Sequence, residues 1–225
     1  MSHRRSTVGA VDHRLEPRPG FAVVDVETTG FVPEEERIVE VGVVVLDHAG
    51  QEVGSFCTLV DPGRDPGPTH IHGITASMVE GAPTFAGIRP YLAGLLSGRV
   101  VVGHNVDRFD LAFLRAECRR SGGEGAVPGP LATVDTLRVA QHHLGMRGRA
   151  TLVDCCDRYG LRWDDHHSAL GDARVTAALF RSMRGQLGDH LLGLDETLGQ
   201  LAGSVWPGGS EVRPALRVRA DALTG

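Results

Sequence analysis

Three dense apolar runs near the start of the chain are typical of β-strands. Residues 21–27 form the first run, residues 37–46 the second and residues 52–60 the third. The second run is rich in β-branched residues, and a turn at residues 47–50 connects it to the third. Apolar runs of this length, separated by turn-forming residues, predict strands rather than helices. We therefore expect the domain to begin with three successive strands.

Beyond the turn-rich residues 61–68, the apolar spacing becomes helical. Residues 84–96 place Phe85, Ile88 and Leu92 on one face, as expected for a helix. A fourth strand is predicted at residues 99–103, and further helices around residues 111–118 and at residues 135–144, 151–159 and 168–183. Strands followed by alternating strands and helices predict one α/β domain over residues 20–186, with a mixed sheet flanked by helices.

The two ends of the chain have weaker patterns. Residues 1–19 are polar, and we expect them to form a flexible N-terminal tail. Residues 187–225 are expected to contain one more helix, over residues 191–201, followed by a C-terminal tail.

The charge balance narrows the class of function. The chain of 225 residues has 23 basic and 28 acidic side chains, which gives a formal net charge of −5, and every basic residue is Arg. Proteins that hold nucleic acid on a broad cationic surface depend on many basic side chains, so this balance argues against that class. It does not exclude a nucleic-acid enzyme whose site consists of carboxylates and metal ions.

Cysteine usage and hydropathy favour a cytoplasmic protein. The four cysteines show no Cys-x-x-Cys spacing, which argues against a disulfide framework or a zinc site. No segment has the roughly 18 consecutive apolar residues that a membrane helix requires, and the first 20 residues contain no secretory apolar core. We therefore expect a reducing compartment and no membrane partner.

Two carboxylates interrupt the first apolar run. Asp25 and Glu27 are two residues apart on the predicted strand, so their side chains point to the same side of the sheet. Burying two unpaired carboxylates costs free energy, and a divalent cation is the simplest compensation. A strand end that reaches solvent is the alternative explanation.

A third carboxylate follows the fourth strand. That strand ends at Gly103, and Asp110 begins the apolar helix that comes next. Open α/β sheets form their sites at strand ends, so Asp110 is a candidate site residue. Asp107 competes for this role, and a carboxylate at a helix start is also favoured by the helix dipole alone.

The last candidates open the helix predicted at residues 168–183. Asp172 lies at the edge of an arc of small and apolar residues, where it can face the sheet, and His167 precedes it by five residues. Histidine is suited to accept a proton from water near neutral pH. His166 is adjacent, so a shift of one residue would exchange the base, and a helix-start His beside a solvated Asp is the structural alternative.

Together, four carboxylates and one His form a specific pattern. Oxygen ligands for two Mg²⁺ or Mn²⁺ ions, with a base for an attacking water, are the components of a two-metal phosphodiester hydrolase. Three stretches carry this pattern and closely resemble the motifs of the DEDDh, or DnaQ-like, exonucleases: Asp25-Val-Glu27-Thr-Thr-Gly30, His104-Asn-(x3)-Phe-Asp110 and His167-(x4)-Asp172. His72-Gly-Ile-Thr75 and Val134-Asp-Thr136 resemble further segments of that family.

The resemblance implies a fold, an activity and roles for the five candidates. The fold is ribonuclease H-like, with a mixed five-stranded central sheet, and the activity is 3′→5′ exonuclease. Asp25 would contact both metal ions, Glu27 and Asp172 would complete the tighter site, and Asp110 would act mainly through a bound water. The spacing of His167 to Asp172 resembles the histidine branch of the family, in which that His is the general base.

The resemblance also implies how substrate and partners bind. The substrate would be the 3′ end of single-stranded DNA, and a DNA polymerase subunit is a candidate partner. Family members occur as monomers and as homodimers. Residues expected to contact the nucleic acid are Thr28, Thr29, Gly30, His72, His104 and Asn105.

Two other functions remain open from the sequence. One is an RNA-directed relative, such as an oligoribonuclease or an RNase T-like enzyme, although the first motif is closer to the DNA-proofreading type. The other is a binding module on the same fold without catalytic activity. Loss of a metal ligand would indicate such a module, and all the ligands are present.

Overall fold

The architecture is seen in a computed structural model, which describes residues 20–122, 132–146, 148, 150–163 and 167–194. The strands are β1 (Phe21–Thr28), β2 (Ile38–Leu46), β3 (Glu52–Leu59), β4 (Val100–Gly103) and β5 (Ala132–Asp135). The helices are α1 (Thr69–His72), α2 (Ala76–Val79), α3 (Phe85–Leu96), α4 (Asp110–Arg120), α5 (Thr136–His143), α6 (Leu152–Tyr159) and α7 (Ala169–Leu187). A 3₁₀ turn, His190–Leu192, follows.

The five strands form one mixed sheet in the order β3-β2-β1-β4-β5. β1 pairs antiparallel with β2, and β2 with β3, whereas β4 runs parallel to β1 and β5 parallel to β4. The central position of β1 explains its continuous apolar sequence, because both faces of the strand are covered. The predicted five-stranded mixed sheet flanked by helices is confirmed.

The two faces of β1 belong to two separate cores. Ala22, Val24 and Val26 pack with α3 and α4 on one face, whereas Phe21 and Val23 pack with α5, α6 and α7 on the other. The ring centroids of Phe21 and Phe180, on α7, are 4.8 Å apart. Because side chains alternate along a strand, Asp25 and Glu27 continue the face that α7 covers.

Several elements differ from the sequence-based prediction. The pattern located four strands and missed β5, which has only four residues and directly precedes α5. It also missed α1 and α2, which have four residues each. Of the helix predicted at residues 191–201, the described part begins with the 3₁₀ turn, and residues 195–201 lie outside the described residues, as do residues 1–19. No described helix is both long enough and apolar enough to cross a membrane.

Candidate metal and nuclease site

The site is built where the end of β1 meets the beginning of α7. Asp25, Glu27 and Asp172 each offer a carboxylate oxygen, and these three oxygens lie within 4.8 Å of one another. All three side chains are partly buried. Hard divalent cations prefer carboxylate oxygens, so this donor set fits Mg²⁺ or Mn²⁺.

Close packing of α7 on β2 brings Asp172 to this position. Gly42 lies opposite Asp25 in the β1–β2 ladder, and a Cβ atom at Gly42 would overlap the backbone of Ala169, the first residue of α7. The hydroxyl of Ser168 accepts a hydrogen bond from Gly171 N–H at 3.1 Å and caps the helix. The glycine in β2 allows α7 to pack closely on the sheet, and the cap fixes where the helix begins. Together they determine how near Asp172 lies to Asp25 and Glu27.

Asp110 is the fourth carboxylate and is more deeply buried than the other three. It is the first residue of α4, and its side chain is 3% exposed. Its Oδ1 accepts a hydrogen bond from Val26 N–H, on β1, at 3.1 Å. The contact places Asp110 beside the strand segment that carries Asp25 and Glu27.

Crowding and burial make the charged form of these acids unfavourable. Burial raises the pKa of Asp25 well above its ordinary value, and four neighbouring carboxylates raise it further: Asp110, Asp172, Glu27 and Glu40. Burial, followed by Asp172 and Glu40, raises the pKa of Glu27 to about 7. Burial also raises the pKa of Asp110 to about 8, although backbone N–H groups oppose this shift. A bound cation would remove much of the cost, since opposite charge stabilises the ionised form.

Glu40 is a fifth carboxylate, which the sequence analysis missed. It lies opposite Glu27 in the β1–β2 ladder. Its Oε2 accepts a hydrogen bond from Ala169 N–H at 2.8 Å, and the Cys57 thiol lies 3.4 Å from its Oε1. Glu40 therefore holds the first turn of α7 beside the cluster. The sequence did contain a signal for Glu40, because this acidic residue interrupts an apolar strand in the same way as Asp25 does.

The predicted base and one predicted substrate residue share an unusual backbone conformation. Among the described residues, His167 and Asn105 are the non-glycine residues with positive φ, at 65° and 66°. Such conformations cluster at functional sites, because the surrounding structure must hold them in place. His167 is exposed and precedes α7 by two residues, and the alternative base His166 lies outside the described residues.

His104 makes its contacts within the protein. Its Nε2 is 2.8 Å from the Ala150 carbonyl, and its Nδ1 is 2.9 Å from the Thr136 hydroxyl. Burial lowers the pKa of His104, which favours the neutral ring, and Nε2–H donates to the Ala150 carbonyl, which can only accept. Both ring nitrogens are thus engaged. Its predicted contact with nucleic acid stays a prediction, and the observed contacts connect β4 to α5.

Asp135 is a second residue that the sequence analysis did not single out as part of the site. It is 6% exposed and caps α5, because its Oδ1 accepts hydrogen bonds from Leu137 N–H at 3.0 Å and Asn105 N–H at 2.9 Å. The second bond holds the backbone of Asn105 in its positive-φ conformation.

The loop after Glu27 is held by side-chain hydrogen bonds. Thr28 Oγ1 donates to the Gly30 carbonyl at 2.6 Å, and Thr29 Oγ1 donates to Glu36. Arg37 N–H donates to Thr29 Oγ1 at 3.0 Å. The predicted substrate residues Thr28, Thr29 and Gly30 therefore form an ordered turn next to the cluster.

A small apolar cleft begins at Glu27. Its lining comprises Val26, Glu27, Thr28, Gly30, Phe31, Pro68, Ile71, His72 and Phe109. The ring of Phe31 is 75% exposed. His72 is 6% exposed; its Nδ1 accepts from Ile74 N–H at 3.0 Å, and its Nε2 is buried. Aromatic and apolar walls suit a nucleobase.

Comparisons with known proteins agree with this geometry. Residues 22–180, which include all five candidate catalytic residues, match the exonuclease family. The DNA polymerase III PolC-type protein of Thermotoga petrophila is 36% identical over 162 residues, which cover 71% of this chain and 11% of that protein. The DNA polymerase III subunit epsilon of Treponema pallidum is 35% identical over 170 residues, which cover 72% of this chain and 75% of that protein.

A solved structure supports the fold. E. coli exonuclease I in complex with a dA16 oligonucleotide matches with a TM-score of 0.69 at 18% identity, over 78% of this chain and 42% of that chain. The predicted ribonuclease H-like fold is thereby confirmed. The carboxylate cluster, the sheet order and the family match together establish that the chain belongs to the exonuclease family.

Proposed function

We propose that this chain is a metal-dependent 3′→5′ exonuclease that shortens single-stranded DNA and releases nucleoside 5′-monophosphates. The observation that carries the proposal is the convergence of Asp25, Glu27 and Asp172, with carboxylate oxygens within 4.8 Å of one another. Such a cluster is costly without cations and is what a metal-dependent phosphodiester hydrolase requires.

Two Mg²⁺ or Mn²⁺ ions are the proposed cofactors. Asp25, Glu27 and Asp172 would hold them, with Asp110 completing the set from α4. When bound, divalent ions polarise the scissile phosphate and increase the acidity of the attacking water. The raised pKa values of Glu27 and Asp110 support this assignment, because the ionised form of each carboxyl is unfavourable without a nearby positive charge.

His167 is the proposed general base. Its exposed position just before α7 allows it to accept a proton from a water molecule that approaches the cluster. The water oxygen forms the new bond to phosphorus, and the bond from phosphorus to the 3′-oxygen breaks. The departing 3′-oxygen takes up a proton from solvent and becomes the 3′-hydroxyl of the shortened strand, and the released nucleotide keeps the 5′-phosphate.

The apolar cleft is the proposed site of the terminal base. Phe31 and Phe109 offer rings for stacking, and His72 lines the same cleft. The ordered turn at residues 28–30 presents backbone groups to the terminal nucleotide. Stacking on an aromatic ring tolerates every base, as a sequence-independent exonuclease needs.

Relatives support DNA as the substrate and replication or repair as the setting. The names of the two relatives belong to DNA polymerase III proteins, and the structural neighbour was solved with a DNA oligonucleotide. We therefore propose a proofreading or repair role in the cytoplasm, with a DNA polymerase subunit as a candidate partner.

A direct assay tests this function and its substrate class. The purified chain is incubated with 5′-labelled single-stranded DNA and RNA of equal sequence, in Mg²⁺ or in EDTA. We expect stepwise shortening of DNA from the 3′ end in Mg²⁺ alone. Asp25→Ala and His167→Ala should be nearly inert, whereas His142→Ala, which changes an exposed His on α5, serves as the matched control. Faster shortening of RNA would instead identify an exoribonuclease, and internal cuts would contradict the proposal.

A further inference from the structure

Trp163 lies outside the family motifs but contacts the carboxylate cluster. Its indole Nε1–H donates a hydrogen bond to Asp172 Oδ1 at 3.1 Å. The Trp163 side chain is partly buried, so solvent does not surround this contact. The hydrogen bond therefore joins the segment after α6 to a carboxylate that the proposed function assigns to metal binding.

The segment that carries Trp163 is anchored before it reaches the site. α6 ends at Tyr159, Gly160 caps it in the left-handed conformation with φ 62°, and Leu161 N–H donates to the Cys156 carbonyl at 2.9 Å. The Leu161 side chain packs against the core that α7 shares with the sheet. Trp163 follows two residues later, so the indole projects from a fixed segment rather than from a free loop.

The chemistry of an indole suits this position. An indole N–H is a neutral donor with no acceptor atom, so it stabilises an ionised carboxylate without adding a competing positive charge. Hydrogen bonds from residues that do not touch the metal orient the ligands that do, and removing one typically weakens metal binding by about 10- to 100-fold.

We infer that Trp163 is a positioning residue of the metal site, whose indole N–H orients the Asp172 carboxylate for the cation. This inference rests on the proposed function, since it requires Asp172 to bind metal. It assigns a role to a residue that the family motifs do not include, and it makes Trp163 a spectroscopic reporter of metal binding.

Two measurements on the full chain test the inference. The first compares Mn²⁺ affinity, by calorimetry or by electron paramagnetic resonance, among the wild type, Trp163→Phe and Trp206→Phe. Trp163→Phe keeps an aromatic ring and removes the N–H donor, whereas Trp206→Phe is the matched control at the other Trp of the chain. The second follows the indole ¹H–¹⁵N resonance of Trp163 in the Trp206→Phe protein during a Mg²⁺ titration.

We expect Trp163→Phe to bind Mn²⁺ about 10- to 100-fold more weakly, with Trp206→Phe unchanged. The melting temperature in EDTA should fall modestly, because the metal-free protein also loses this hydrogen bond. The Trp163 indole resonance should shift with Mg²⁺, a measurement that remains available even if Trp163→Phe fails to fold.

Each contrary result has a distinct meaning. Equal Mn²⁺ affinity in the wild type and Trp163→Phe, or an indole resonance that does not respond to Mg²⁺, would overturn the inference and leave the metal site intact. Absence of Mn²⁺ binding by the wild type would overturn the proposed function, and the inference with it.

Discussion

At the scale of single residues, Asp25 has conflicting effects on stability and activity. Burial and four neighbouring carboxylates oppose its ionisation, although it occupies the centre of the proposed metal site. A group selected for function often lowers the stability of the protein that carries it. The two effects can be separated by a substitution that preserves shape and removes charge.

Asp25→Asn should increase the stability of the metal-free protein and abolish activity. The amide keeps the volume and removes one charge from the cluster, so we expect the free energy of unfolding in EDTA to rise, by about 1.4 kcal/mol for each pKa unit that is relieved. Activity should fall by more than the roughly 100-fold that the loss of an indirect metal contact costs. Denaturant unfolding and the strand-shortening assay measure the two effects, and a destabilised yet active variant would contradict this assignment.

Glu27 should make stability depend on pH in a predictable direction. Its pKa is raised from 4.5 to about 7, so between these values the unfolded chain has lost a proton that the folded chain retains. The stability of the metal-free protein should therefore fall as the pH rises from about 4.5 to about 7.

Thermal unfolding in EDTA across this pH range measures the effect, and Glu27→Gln should make the dependence weaker, with Asp25 and Asp110 contributing the remainder. The increase in melting temperature caused by Mg²⁺ should be larger at pH 8 than at pH 5.5, because protons compete with the cation at low pH. A stabilisation by Mg²⁺ that is independent of pH would contradict the role of Glu27 as a ligand.

Phe31 tests the proposed cleft for the terminal base. The ring is 75% exposed, so Phe31→Ala should leave the melting temperature nearly unchanged. Stacking of one base on an aromatic ring contributes about 1–3 kcal/mol, so KM for an oligonucleotide should rise by roughly 5- to 150-fold. Val32→Ala, at the adjacent and partly exposed position, is the control. Equal KM values for the two variants would show that Phe31 does not contact the bound strand.

At the scale of elements, the contact between β2 and α7 determines the geometry of the site. Glu40 and Gly42 both lie on β2 and both meet Ala169, one through a hydrogen bond and the other through close backbone packing. A displacement of α7 would move Asp172 relative to Asp25 and Glu27. Since a 1 Å misplacement can cost about 100-fold in rate, activity should respond strongly to this contact.

Two Gly→Ala substitutions distinguish the effect of the β2–α7 contact from the effect of adding a methyl group elsewhere in the protein. Gly42→Ala places a methyl group against the Ala169 backbone, and we expect a loss of about 1–3 kcal/mol of stability together with most of the activity. Gly185→Ala, in α7, meets open space and should increase stability by about 0.5–1 kcal/mol with unchanged activity. An active Gly42→Ala protein would show that the site does not depend on close packing of α7 against β2.

The sequence predicted the long elements and much of the site, because both depend on local patterns. The apolar runs predicted β1 and β2 and the helical spacing predicted α7, whereas the resemblance to the exonuclease motifs grouped Asp25, Glu27 and Asp172 into one site. β5 was missed because four residues are too short for a periodic signal.

Contacts between distant residues could not be predicted from such patterns. The bonds from His104 to Thr136 and Ala150 span 32 and 46 residues, and the bond from Glu40 to Ala169 spans 129. The hydrogen bond from Trp163 to Asp172 also depends on how α6 ends, which the sequence pattern alone does not specify.

At the scale of the whole molecule, the acidic balance and the proposed substrate are compatible. Four of the acidic residues form the proposed metal site, and two divalent ions would offset most of the formal net charge of −5. The chain still lacks the excess of basic residues that supports tight binding along a nucleic-acid backbone. We therefore expect modest affinity for the strand, dependent on metal and concentrated at the 3′ end.

The most direct test of the central claim is a comparison of two single-stranded DNA molecules that differ only at the 3′ end. Both carry a 5′ label, and one ends in an inverted nucleotide that removes the free 3′-hydroxyl. With Mg²⁺, the chain should convert the unblocked strand into a ladder of successively shorter products and leave the blocked strand intact, and neither strand should change in EDTA. Equal degradation of both strands, or degradation in EDTA, would contradict a metal-dependent 3′→5′ exonuclease.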